Sequence, residues 1–342
     1  MKYLELEETY GAHNYHPLPL VIKSAKGAWV TDTKGKKYID CLSAYSALNL
    51  GHGYPAVIKA LKSQADKLTL TSRAFANDQV GPWYKELVDF IGVKDLNMVL
   101  AMNTGAEAVE TAIKTARLWG YKTKKVPRDK AEIVVCADNF HGRTTTLVTF
   151  STEELYRDGF GPFTPGFKII PFGDAKALKQ AITPNTVGFL VEPIQGEAGI
   201  IVPPEGYLRE AMKICRHNKV LFMLDEIQTG FGRTGKKFAF EHETGVAPDI
   251  LIMGKALGGG VFPISAIVGN SKVLGLFKPG SHGSTFGANP LACAVSRAAL
   301  KAMAKEKLAE KSAKHGAYLM EQLCRIDSNN IEQIRGKGLF VA

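Results

Sequence analysis

VLFMLDEIQTGFGRTG (220–235) and DILIMGKALGGGVFPISAI (249–267) decide the fold of this chain. Each contains an unbroken apolar run, and an ionisable residue stands at or just beyond the end of each: Asp225 in the first, Lys255 in the second. Continuous apolar runs, rather than alternating ones, belong to strands covered on both faces. The carboxyl edge of an open α/β sheet is where ligands bind. A carboxylate at that edge is costly to bury without a partner. A protonated pyridine nitrogen would supply the missing countercharge for Asp225. A helix N-cap or a salt bridge with Arg233 would also account for it. Lys255 stands beside Gly258, Gly259 and Gly260. A desolvated lysine there suits Schiff-base chemistry, because burial lowers its pKa and frees the amine. An exposed loop lysine is the alternative.

Outward from these two segments the pattern repeats. NMVLAM (97–102), EIVVC (132–136), VGFLV (187–191) and ISAIV (264–268) read as further strands. AEAVETAIKTARLWG (106–120) and YLREAMKICRHN (207–218) read as helices between them. Strand–helix–strand repetition implies an α/β fold with a mainly parallel central sheet flanked by helices. Residues 21–40 look like short strands around a turn at Lys34-Gly35. Residues 289–324 read as two long helices, and IRGKGLFVA (334–342) as one strand without a partner. The expected domains are an N-terminal segment 1–45 contributing to a smaller α+β domain, a large domain 46–298, and the start of an incomplete, C-terminally truncated small domain at 299–342.

A phosphate needs backbone N–H groups at the start of a helix. Asn103-Thr104-Gly105-Ala106, between strand and helix, offers them, with Glu107 and Glu110 favouring the helix start. FHGRTT (140–145) offers Phe140 for ring stacking, Arg143 as a fork for a carboxylate, and His141, which fits a place beside a cofactor as well as that of a base. EPIQGEAG (192–199) places Glu192 and Glu197 directly after a strand, and HGSTFGANP (282–290) is a polar loop suited to phosphate.

Taken together, EPIQGEAG, LDEIQTGFGRTG and GKALGGG resemble the class III aminotransferases, a branch of the fold-type I pyridoxal-phosphate enzymes. The resemblance runs from about residue 11 to the end. Within the family, GAHNYHPLP (11–19), LSAYSALNLGH (42–52) and TLTSRAF (69–75) are most similar to the ornithine aminotransferases. The resemblance implies a pyridoxal 5'-phosphate cofactor joined to Lys255, with Asp225 on its ring nitrogen, Gln228 on the ring hydroxyl and Phe140 stacked on the ring. Gly105 and Ala106 would hold the phosphate, and Thr285 with Ser284 would reach it from the other subunit of a homodimer. Tyr15 and Tyr45 would stand on the substrate side, with Arg143 clamping the substrate α-carboxylate. Glu197 would lack the arginine partner that it has in the family. The implied reaction moves the terminal amine of ornithine to a 2-oxo acid, 2-oxoglutarate foremost. Acetylornithine and 4-aminobutyrate are the competing donors, and a catalytically impaired homologue is a further alternative.

Bulk properties narrow the remaining classes. The formal charge is +10, from 43 basic and 33 acidic residues, but the lysine-rich segments carry no interleaved aromatics, which argues against a nucleic-acid groove. The five scattered cysteines form no C-x-x-C pair, so neither a disulfide framework nor a zinc site is expected, and a reducing, cytoplasmic setting is. No apolar run has the length of a membrane span.

Overall fold

A computed structural model describes residues 2–342. Helix Lys2–Tyr10 leads into a three-stranded antiparallel sheet, β1 (Ile22–Lys26), β2 (Trp29–Asp32) and β3 (Lys37–Ile39). The main sheet has seven strands: β4 (Met98–Met102), β5 (Glu132–Cys136), β6 (Phe167–Ile170), β7 (Thr186–Val191), β8 (Leu221–Asp225), β9 (Ile250–Met253) and β10 (Ser265–Gly269). Their spatial order is β4-β10-β9-β8-β7-β5-β6. The pairs from β9 through β8, β7 and β5 to β6 are parallel, as the apolar runs predict. Only β10 runs against its neighbours β9 and β4. The segment 254–264 joining β9 to β10 is shorter than the crossover of about a dozen or more residues that parallel neighbours need, so the chain returns antiparallel.

Every residue of β7, β8, β9 and β10 is buried. Alternate side chains serve opposite faces. Phe222, Leu224, Leu251 and Met253 join a core built with helices Val80–Ile91, Tyr207–His217 and Pro290–Lys305. Leu221, Met223, Ile250 and Ile252 join a second core under helix Gly105–Trp119, through Ala108, Val109, Ala112 and Ile113. This double coverage is why the strands read as unbroken apolar runs. Strand β6 escaped the sequence reading because it is an edge strand, only partly buried, and broken by Lys168.

The C-terminal segment corrects one expectation. Residues 334–342 form no lone strand but a tight hairpin, β11 (Gly336–Lys337) against β12 (Phe340–Val341), closed by mutual backbone bonds of 2.9 Å between Arg335 and Ala342. Gly338, with φ +58°, makes the turn. The hairpin docks on helix Leu308–Cys324 at Gly316, where an added Cβ would stand 2.0 Å from the Gly338 carbonyl oxygen. Gly316→Ala is therefore expected to destabilise the protein by about 1–3 kcal/mol, the usual cost of overpacking. A denaturant midpoint unchanged from the wild type would count against this docking.

Candidate active site

Strands β4, β5, β7, β8 and β9 all point the same way, so their carboxyl ends deliver five loops to one edge of the sheet. Those loops carry Gly105, Phe140 to Arg143, Glu192 to Glu197, Asp225 to Gln228, and Lys255.

Asp225 ends β8 and is almost fully buried. Its Oδ1 accepts the Ile227 N–H at 3.1 Å, and its Oδ2 lies 2.7 Å from His141 Nδ1. The salt bridge with Arg233 left open by the sequence does not form. Arg233 instead donates to Ser43 Oγ at 3.0 Å and Asn49 Oδ1 at 2.5 Å. Burial pulls the His141 imidazole down, but the Asp225 hydrogen bond and charge outweigh it and leave the ring above its ordinary value. The far nitrogen of His141, Nε2, is buried without a hydrogen-bond partner among the described residues. Glu192, the residue after β7, is buried beside this pair, and burial pushes its carboxyl up to about 7.

Lys255 sits in the turn after β9 with φ +42°. A non-glycine residue held there stores strain, which clusters at functional sites. Desolvation pulls its amine below the ordinary value, against the opposing fields of Glu197, Asp225 and Glu192. It lines a cleft of about 430 Å³ with Asn103, Thr104 and Gly105. Thr104 caps helix Gly105–Trp119, and the Glu107 side chain closes the capping box. Gly105 fits closely: a Cβ there would meet Ile227 Cδ1 at 3.1 Å. A Cβ on Gly142 would come within 2.9 Å of Ala106 Cβ, so the FHGRTT loop lies directly on the helix start.

The other expected residues distribute unevenly. Ser284 Oγ accepts the Asn103 side-chain amide at 2.8 Å within the same chain, beside the helix start, while Thr285 is exposed. Phe140 meets Tyr156 edge-on at 5.9 Å, and the Arg143 guanidinium stands 4.2 Å over the Tyr156 ring. Arg143 is exposed and makes no ion pair among the described residues. Glu197, expected to lack an arginine partner, bonds instead to a neutral amide: Gln228 Nε2 donates to its Oε1 at 2.6 Å. Gly196 makes room for this, since a Cβ there would stand 1.9 Å from Gln228 Oε1. Tyr45 lines a second cavity, about 250 Å³, with Glu197, Gln228 and Arg233. It belongs to four consecutive non-glycine residues of positive φ, Ser43 to Ser46, a left-handed turn with no glycine or other local signal to mark it. Tyr15 is 74% exposed and lines neither cavity. Tyr156 and the His141–Asp225 contact were not assigned from sequence; the histidine in FHGRTT was the available signal for the contact.

The Aminotransferase class-III family model matches residues 10–342. The chain belongs to the class-III aminotransferases. Ornithine aminotransferase of Brevibacillus brevis is 62% identical over 338 residues, 99% of this chain and 84% of that protein. The crystal structure of a Toxoplasma gondii ornithine aminotransferase with partial occupancy of PLP at its active site superposes with TM-score 0.96 at 47% identity, covering 98% of this chain and 79% of that one. Acetylornithine aminotransferase of Elizabethkingia anophelis superposes with TM-score 0.88 at 46% identity, covering 98% and 82%.

This class-III aminotransferase has the fold-type I architecture and is a pyridoxal-phosphate-dependent transaminase. Its residues fit that group. A lysine with a depressed pKa lines the cleft, a buried carboxylate lies behind it, and the glycine-opened start of a capped helix forms part of the wall. Such a helix start binds phosphate through its free N–H groups.

Proposed function

We propose that this class-III aminotransferase moves the terminal amine of L-ornithine to a 2-oxo acid, 2-oxoglutarate foremost, giving glutamate 5-semialdehyde and glutamate. The observation that carries the reading is the 62% identity to an ornithine aminotransferase across 99% of the chain. The geometry is consistent with it. Bound pyridoxal phosphate supplies an electron sink for the amine-bearing carbon. Lys255 Nζ, its pKa lowered by desolvation, would hold the cofactor and move the proton of that carbon. Asp225 would pair with the ring nitrogen, Phe140 would stack on the ring, and Gln228 would bond the ring hydroxyl. The N–H groups of Gly105 and Ala106 hold the phosphate.

Arg143 grips the α-carboxylate and so presents the far amine, with Tyr15 and Tyr45 beside the substrate. The site works in a homodimer, in which Thr285 of one protomer reaches the phosphate of the other and Ser284 anchors that loop. Five free cysteines suit a cytoplasmic setting, and among the described residues no helix is long and apolar enough to cross a membrane.

Two measurements test this. Ornithine added to the protein loaded with pyridoxal phosphate is expected to bleach the cofactor band, and 2-oxoglutarate to restore it. Faster bleaching by acetylornithine or 4-aminobutyrate would replace ornithine as donor; the likeness to an acetylornithine aminotransferase makes the former the second reading. Arg143→Ala is expected to cost about 1.5–3 kcal/mol of ornithine kcat/KM, one charged hydrogen-bond pair, and to leave cofactor affinity within about threefold. Equal loss of both would remove Arg143 from the clamp role.

A further inference from the structure

Glu192 follows β7 at the carboxyl edge of the sheet, and its carboxylate is divided between two loops. Oε2 accepts the Phe140 N–H at 3.1 Å, and Oε1 accepts the Gly196 N–H at 3.2 Å. The first loop carries Phe140, His141 and Arg143; the second carries Glu197. The same carboxylate lies in the field of His141 and Asp225, and its own field reaches Lys255. His141 meanwhile spends Nδ1 on Asp225 and keeps Nε2 buried and unpartnered among the described residues.

We propose that Glu192 is a positioning residue for the transamination, acting through His141 and Asp225 by placing a second negative charge behind the cofactor ring, and through its two backbone bonds by fixing the span between Phe140 and Glu197. The neighbouring Glu226 shows what a strap looks like. Its buried carboxylate accepts the Thr229 hydroxyl and the Ala239 and Phe240 N–H groups, and the charge that bears on it is that of Glu241. Glu192 makes fewer bonds and instead shares its surroundings with three charged groups: His141 after β5, Asp225 at the end of β8 and Lys255 after β9. Burial pushes its carboxyl up to about 7, as it does that of Glu226, so the two differ in their neighbours and not in their burial.

The inference rests on the cofactor site at Lys255. The wild-type cofactor band tests that site, and the displacement of its pH midpoint in variants tests Glu192. In the full chain loaded with pyridoxal phosphate, Glu192→Gln keeps the shape and one acceptor but removes the charge. The midpoint is expected to fall by about half a unit or more, because a nearby anion that favours the protonated cofactor is gone. Glu226→Gln is expected to leave it in place. In a His141→Asn background the Glu192→Gln displacement is expected to shrink by about half or more, as for coupled residues in a double-mutant cycle. An unmoved midpoint in Glu192→Gln, or equal movement in both glutamine variants, would overturn the proposal. Should Glu192→Gln not fold, Glu192→Asp provides the test. It retains the charge and shortens the strap, so kcat should fall with the midpoint held; a wild-type kcat would overturn the proposal.

Discussion

Lys255→Ala is expected to lower kcat by about 10³-fold or more, the range lost when a positioned proton-transfer group is removed. The substitution should leave the fold intact. Lys255 spends its side chain in the cleft rather than in either core, and removing a desolvated amine relieves a cost instead of adding one. Alanine meets the same left-handed strain at φ +42° that lysine does, so the backbone gains nothing and loses nothing. The helix start at Gly105 and the carboxylate of Asp225 remain to hold the cofactor without a covalent link. Turnover should therefore collapse while pyridoxal phosphate still binds, which equilibrium dialysis and steady-state rates would separate. Turnover within tenfold of the wild type would remove Lys255 from the chemistry.

Asp225→Asn is expected to lower kcat by roughly 10²-fold, the size of loss when one preorganised electrostatic group at a reacting centre is removed. Two consequences combine. The ring nitrogen of the cofactor loses its countercharge. His141 loses the contact that outweighs its own desolvation, so its pKa should drop below the wild-type position. The loss should appear in kcat rather than in KM for the amino donor, because Asp225 lies at the end of β8 and lines neither cavity. Titration of the histidine ring by nitrogen NMR would show the shift at His141 directly. A wild-type His141 titration together with wild-type kcat would defeat both arguments.

How much of this was legible in the sequence depended on range. The buried strands could be read because four adjacent apolar residues, as in ILIM or LFML, state their environment locally. The helix start at Thr104 could be read because a capping box spans only Thr104 to Glu107. Asp225 and Lys255 stood out because ionisable residues at the ends of such runs have a poor structural reason to be there. Strand β6 could not be read, since an edge strand keeps a polar residue and loses the signal. The C-terminal hairpin was missed because a Gly338-Leu339 turn between two-residue strands is too short for any periodicity to register.

The sequence by itself determined the α/β class, the runs that form the sheet, and the pairing of a lysine with an aspartate at the strand ends, because each follows from neighbours within a few positions. Only the tertiary structure decided which partners those charges take. It brought His141 to Asp225 across 84 positions, Gln228 to Glu197 across 31, and turned Arg233 to Asn49 across 184. The reason is that a buried polar group must be satisfied by whichever group the folded sheet brings within hydrogen-bond reach, and strand order, not spacing along the chain, sets that choice.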